Sequence, residues 1–476
     1  MLVDTWSSFT GRIPVSDLIT DQKVPATARQ SISFAELISF AIPTVGAGYM
    51  FCLVSLYLMK FATDVLLIAP AVMGFIFGVS RFWDAVSDPL VGYLSDKTQT
   101  RIGRRRPWIF ASIIPVGLSF WMLSAPPEGL SDNLLVAWMA VAIIGFYSAQ
   151  TMFVVPHMSL GAELTDDYHE RNKIFGARHA GWIAGYISAL VTMYWLILAE
   201  GEGSQAVRTL AADQSTYAAA VTGTMLLICV IFVRERPEFA GRGAENPFKA
   251  LRDILRNRHA SLLIFIIFIE NLGGAVITIL TLYNAEYVLN APQMAPFFIL
   301  SYMVFSFLLT PIWMPIAKRI GKKLLWFFSM IVTAFAFGAM AFLQEGDDII
   351  LLVLAAIAGA AGSCGGTINP SIKSDVIDYD ELQTGERKEG AYFSAWYFVS
   401  KSAYGIMLMV TGFALSWAGF VPKVEQSELV VNTLRFLYAG VPFIAYIFGA
   451  LLFLRFSFNE DEHAEVIAEL ERQGRR

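Results

Sequence analysis

The chain has 476 residues, 56% of them hydrophobic and only 16% charged, with a formal net charge of −5. A soluble domain carries about a quarter charged residues, so this balance excludes an ordinary soluble protein and points to a polytopic membrane protein. There is no basic domain or stacking-rich basic patch, so nucleic acid is not an expected partner, and Cys52, Cys229 and Cys364 lie far apart in apolar runs, giving neither a disulfide framework nor a metal set.

The first 30 or so residues are polar, with Asp4, Asp17 and Asp21 beside Arg12, Lys23 and Arg29. They lack the basic-then-apolar pattern of a cleaved signal, so the first spanning helix is expected to be retained as an anchor. Apolar segments of spanning length then recur twelve times, at 35–63, 68–96, 107–126, 133–162, 172–199, 214–233, 260–289, 295–317, 323–343, 349–374, 390–418 and 430–456. Several exceed the roughly 20 residues that a bilayer requires, which implies tilt or extension beyond it.

Within the second segment, Asp84 and Asp88 stand four residues apart, with Arg81 one turn earlier. On a helix the two carboxylates share a face, about 6 Å apart along the axis. Each costs about 2.5–3.5 kcal/mol at mid-membrane on insertion scales, so a pair on one face points to a cation site lining a wet cavity. The alternative is a salt-bridge cluster that only ties helices together. Two carboxylates this close cannot both stay ionised cheaply without a cation, so one is expected to take up a proton when no ion is bound.

Loop charge fixes the expected orientation. Lys97, Arg101, Arg104, Arg105 and Arg106 follow the second segment, Arg171 and Lys173 the fourth, and Arg234 to Arg258 the sixth. Lys318, Arg319, Lys322 and Lys323 follow the eighth, and Arg387 and Lys388 the tenth. The other connections offer little beyond Arg208 and Lys423, which puts both termini in the cytoplasm. Arg101-Ile102-Gly103-Arg104 after the second segment is echoed by Arg319-Ile320-Gly321-Lys322 after the eighth, an internal repeat. The expected organisation is a cytoplasmic segment 1–34, a six-helix bundle 35–233, a basic linker 234–259, a second six-helix bundle 260–456 and a charged cytoplasmic tail 457–476 with a short helix.

Gly92 and Asp96 followed by Gly103-Arg104-Arg105 resemble the cytoplasmic loop signature of the major facilitator superfamily. Trp83-Asp84-Ala85-Val86-Ser87-Asp88-Pro89 narrows the likeness. Together with Tyr57-Leu58-Met59, Thr63-Asp64-Val65, Ser374-Asp375-Val376-Ile377-Asp378-Tyr379, Arg387, Glu389, Ala391-Tyr392 and Lys401, it resembles the glycoside–pentoside–hexuronide:cation symporters over nearly the whole chain. The resemblance implies an all-α membrane protein with two bundles rocking about a midplane site. It also implies a symporter coupled to sodium or a proton, with no other cofactor, that imports a sugar or glycoside. It assigns cation binding to Asp84, Asp88 and Thr151, with Lys401 and Arg81 balancing charge. Asp96, Arg104, Arg105, Asp375 and Asp378 are the candidate cytoplasmic gate.

The substrate side departs from the pattern. The family's sugar-gripping aspartates of the first and fourth helices align with Gly48 and Val154, and a tryptophan aligns with Met158, which argues against galactoside recognition. The family arginine of the fifth helix is kept as Arg178. Two readings stand there: a planar anion such as a hexuronate, or pairing with Glu163, Asp166 or Asp167. Glu270, beside Asn271, is a candidate for substrate contact or a second proton carrier, or else pairs with Lys373 or Arg81. Tyr49, Tyr147, Gln150, Trp182, Asn284, Trp396 and Tyr397 are candidate cavity residues, since sugars pack C–H faces on aromatic rings. His157 and His179 read as core histidines, and Lys60 and Asp64 as a pair or as snorkelling side chains. The glycines from Gly359 to Gly366 suggest close packing or a flexible point. No phosphate loop or nucleophile–base arrangement is present, so an enzyme is not expected. A monomer in a bacterial inner membrane is expected, with membrane lipid as its surroundings. The alternative cargo is a lysophospholipid or another amphiphile moved with sodium.

Overall fold

In hydrocarbon every backbone N–H and C=O must find its partner within the chain, and twelve apolar runs without strand-length alternation can do so only as helices. The computed structural model describes residues 32–165, 168–235, 254, 257–385, 389–458 and 460–473, and among these there is no strand beyond a bridge closing the turn from Thr100 to Gly103. The helices are α1 (Phe34–Val65), α2 (Pro70–Lys97), α3 (Arg106–Ser124), α4 (Asp132–Glu163), α5 (Tyr168–Ala199) and α6 (Ser204–Phe232). They continue as α7 (Arg258–Tyr287), α8 (Ala295–Ile320), α9 (Lys322–Ala339), α10 (Asp348–Thr384), α11 (Glu389–Ala418), α12 (Glu428–Phe453) and α13 (Glu460–Arg472).

Eleven of these, among the described residues, are long and apolar enough to cross a membrane. The twelfth expected span, α2, has the length, at 28 residues, but Arg81, Asp84 and Asp88 interrupt its apolar character. Ends follow local chemistry. Ser33 caps α1 by accepting from the Glu36 amide at 3.2 Å, and Asn257 caps α7 by accepting from two amides. Pro70 opens α2, where its missing N–H is not needed. Large apolar side chains such as Ile114, Phe307 and Phe335 stand exposed on the outer faces, as lipid contact requires and water-soluble monomers avoid.

Helices α1–α6 pack on one another, as do α7–α12, and the two sets meet through α2 on α11, α7 on α1 and α5 on α8. The α2–α11 contact is the most extensive in the molecule, and glycine makes it possible. A Cβ on Gly74 would lie 2.6 Å from the Leu408 carbonyl, and one on Gly412 would lie 2.4 Å from that of Pro70. Small residues at such crossings let backbones approach where no hydrophobic driving force separates helix from lipid.

α1 is not a uniform helix. Two π turns, Leu53–Tyr57 and Phe61–Val65, interrupt it and release carbonyls from the usual ladder. The Ser55 carbonyl accepts from the Tyr404 hydroxyl at 3.1 Å. Near the second turn the expected Lys60–Asp64 pair forms inside a larger cluster. Lys60 does pair with Asp64, at 3.4 Å, but neither snorkels: both are buried, and Glu200 and Glu286 each reach the same ammonium at 2.6 Å. At the opposite, basic end, the described residues show charged contacts within each set of helices. Arg104 and Arg105 bind Glu163, and Lys322 binds Asp375. Helix α13 lies where a tail helix is expected and packs on α10. Segment 1–31 and most of the linker fall outside the described residues.

Candidate functional site

Helical spacing places Asp84 and Asp88 on one face of α2, and that face meets α4 and α11. Thr151 of α4, which is buried, donates to Asp84 Oδ1 at 3.1 Å or to Asp88 Oδ1 at 2.9 Å. Lys401 of α11 enters from the other side, its Nζ 2.9 Å from Asp84 Oδ2 and 2.5 Å from Asp88 Oδ2. One ammonium thus bridges both carboxylates. The Asp84 side chain is 8% exposed and that of Asp88 31%, so the pair runs from a dry inner oxygen to a water-accessible one.

Arg81 lies only 4.0 Å from Asp84 at its closest, so it is not a tight partner of the pair. Its guanidinium sits over the rings of Tyr147 (4.2 Å), Tyr404 (4.6 Å) and Phe51 (5.5 Å), and it donates to Ser55 at 3.4 Å. Aromatic faces stabilise a buried cation by about 2 kcal/mol where water is excluded. The cluster therefore holds two carboxylates against two cations, one of them on a lysine chain able to move.

The substrate candidates do not form one group. Gln150 is buried beside Thr151. Tyr49 donates to Thr192 at 3.1 Å within the α1–α5 packing, and Trp182 packs on Phe51, so both serve helix contacts. Arg178 does not pair with Glu163, which is taken by Arg104 at 2.9 Å and Arg105 at 3.2 Å; Asp166 and Asp167 lie outside the described residues. The Arg178 Nε is buried without a hydrogen-bond partner, and the exposed Tyr397 faces it electrostatically across α5 and α11. His157 is a core histidine, bonded to the Phe40 carbonyl at 2.8 Å, whereas His179 is exposed and not part of the core. Asn284 is buried in α7, away from the aspartate pair.

Glu270 and Trp396 belong to a second locus, inside α7–α12. A cavity of about 480 Å³ is lined there by Glu270, Asn271, Asn369, Lys373 and Ser400 together with aromatic side chains. Trp396 is buried behind it under the Lys373 ammonium, 4.8 Å from the ring centre. The pairing of Glu270 with Arg81 is not formed. Sequence reasoning named Lys373 only as a partner and missed Tyr404, because neither stands at a motif position.

The gate candidates also separate. Arg105 binds Asp96 and donates to Ser95 at 2.6 Å, and Glu235 gathers the amides of Arg104, Arg105 and Arg106 at 2.7–2.8 Å. Asp375 instead pairs with Lys322 at 2.9 Å, and Asp378 with His463 at 3.0 Å. Among the described residues, Asp96, Arg104 and Arg105 make their contacts on the first set of helices, and Asp375 and Asp378 on the second set and α13.

Gly48, which stands where the resemblance expects a sugar-gripping acid, has no room for one. A Cβ there would lie 2.4 Å from the Trp182 carbonyl. Gly48→Asp is expected to push α1 off α5, lowering yield and Tm without any gain of galactoside uptake. A stable variant that transports galactosides would overturn this.

A family model described as MFS/sugar transport protein matches residues 39–460. The chain is 27% identical over 458 residues to the isoprimeverose transporter of Lactiplantibacillus pentosus, covering 94% of this chain and 93% of that one. It is 25% identical over 484 residues to the sodium-dependent lysophosphatidylcholine symporter 1 of Xenopus tropicalis, covering 92% and 90%. Among solved structures it resembles a D-xylose-proton symporter, with a TM-score of 0.63 at 14% identity over 90% of this chain and 98% of that one.

Proposed function

The chain belongs to the MFS/sugar transport protein family of multi-pass membrane transporters, and from that premise we propose that it is a symporter importing a sugar or glycoside with sodium or a proton. The observation that carries this reading is the convergence of Asp84, Asp88 and Thr151 on the Lys401 ammonium. Two carboxylates and a hydroxyl are the oxygen donors that a hard cation prefers. Lys401 occupies the cation's place in the empty carrier, so an unloaded site stays charge-balanced. Binding of the coupling ion displaces the lysine and removes the charged tie between α11 and α2 at this level. Ion and substrate must then favour each other by the same factor.

In this reading the basic end is cytoplasmic by the positive-inside rule, both termini lie there, and α2 completes twelve spans. Residues 35–233 and 260–456 are the two bundles, joined by the linker 234–259. The Lys60 cluster then ties the two bundles on the outer side. The relative named for isoprimeverose supports a glycoside cargo. The lysophosphatidylcholine symporter, matched over a similar share of the chain, supports the second reading, an amphiphile moved with sodium.

The test is uptake by proteoliposomes of neutral glycosides, uronates and lysophosphatidylcholine, each under an imposed sodium or proton gradient. Glycoside accumulation against its gradient with one of the two ions is the expected result. Accumulation of the lysolipid alone would establish the second reading, and transport indifferent to both ions would end the symport proposal.

A further inference from the structure

Three polar groups around the α7–α12 cavity have hydrogen-bonding capacity to spare: Glu270, Lys373 and Asn369. Glu270 takes a hydrogen bond from the Trp326 side chain and Lys373 lies over the Trp396 ring; the two charges face each other across the cavity without closing to a direct ion pair. The Asn369 Oδ1 is buried with no donor. Charges and acceptors withdrawn from water are normally paired, and each exception calls for a partner that is absent. Here all three face one space of about 480 Å³, within the range of small-molecule sites.

Resting on the symporter reading above, we infer that this cavity is the subsite for a neutral, hydroxyl-rich sugar ring, held between Glu270 as acceptor and Lys373 as donor. A carboxylate accepts hydrogen bonds and an ammonium only donates them, so adjacent sugar hydroxyls, which do both, satisfy the two at once. A uronate would gain at Lys373 and lose at Glu270, so the pair selects against net charge. Trp326 and Tyr446 supply flat apolar faces for the ring's C–H surface.

The cavity also reaches the ion pair through one helix. Ser400 and Tyr404 line it, and Lys401 between them bridges Asp84 and Asp88. Tyr404 in addition lies under the Arg81 guanidinium and donates to the Ser55 carbonyl. A ring bound in the cavity therefore touches the helix that must let go of α2 when the ion arrives.

The experiment compares the purified full-length protein with Glu270→Gln, Lys373→Met and Lys373→Arg in proteoliposomes, using a neutral pentoside, the matching uronate and lysophosphatidylcholine. Wild type is expected to take up the pentoside in preference to the uronate. Glu270→Gln and Lys373→Met should each raise the pentoside KM at least tenfold, while Lys373→Arg, which keeps a donor, stays within about threefold. Pentoside uptake with KM unchanged in both Glu270→Gln and Lys373→Met would overturn the subsite and leave the symporter reading standing. Preference for the uronate, lost in Lys373→Met, would overturn the neutral-sugar assignment. Transport of the lysolipid and neither sugar would remove both readings together.

Discussion

Asp84→Asn is expected to reduce ion-stimulated uptake at least about 100-fold while the protein still inserts and purifies. The wild-type site sets two carboxylates against Lys401 and Arg81. Removing the buried one leaves Asp88 facing two cations, a net positive site that repels the ion it should bind. Breaking one partner of a buried charged pair costs about 3–5 kcal/mol, which corresponds to roughly 10²- to 10³-fold or more in affinity. Asp88 is partly exposed to water, so Asp88→Asn should sit at the low end of that range and Asp84→Asn at the high end. Helix content separates this from a folding defect: sodium or proton dependence of uptake should vanish while helix content is kept. Full ion dependence in both variants would exclude Asp84 and Asp88 from the coupling site.

What the sequence discloses about this site depends on how local each relation is. The spacing of Asp84 and Asp88 is a property of one helix, so their shared face was legible at once. Thr151 and Lys401 lie 63 and 313 residues from Asp88, and only family resemblance linked them to it. Arg81 is legible in the sequence as a charge near the pair, because charge is visible in a sequence and ring placement is not. The rings of Tyr147 and Tyr404, distant in the chain, are what hold it. Gly48 illustrates the converse: a missing acid was plain, but its reason, the Trp182 carbonyl against α1, is a matter of helix packing. For the fold, apolar length located the helices well. Of the twelve expected spans, α2 alone falls short of a membrane-spanning composition, because Arg81, Asp84 and Asp88 interrupt it.

Glu200 and Glu286 were invisible for the same reason, since each stands at the end of an apolar run and reads as an ordinary boundary charge. Folded, they join Asp64 around Lys60, so three acids from α1, α7 and the turn after α5 depend on one buried ammonium. The hydroxyls of Tyr57 and Tyr287 also donate to this cluster, to Glu200 at 3.1 Å and Asp64 at 2.8 Å. Because Glu286 and Tyr287 come from the second set of helices, the cluster ties the two sets at this end. Lys60→Met keeps the length of the side chain and removes the charge, leaving three carboxylates in mutual repulsion. The expected loss is about 3–5 kcal/mol, seen as a clear fall in Tm. Cysteines placed at this end should become more reactive to an impermeant thiol reagent as the two sets part. Glu286→Gln is the informative contrast. It leaves Asp64 and Glu200 to hold the lysine and keeps a polar group on α7, so it should cost no more than about 1 kcal/mol. Equal, small effects of Lys60→Met and Glu286→Gln would mean that the helices are held at this end by packing alone. A large effect confined to Lys60→Met, with increased labelling, identifies the lysine as the latch that must release before the carrier opens on that side.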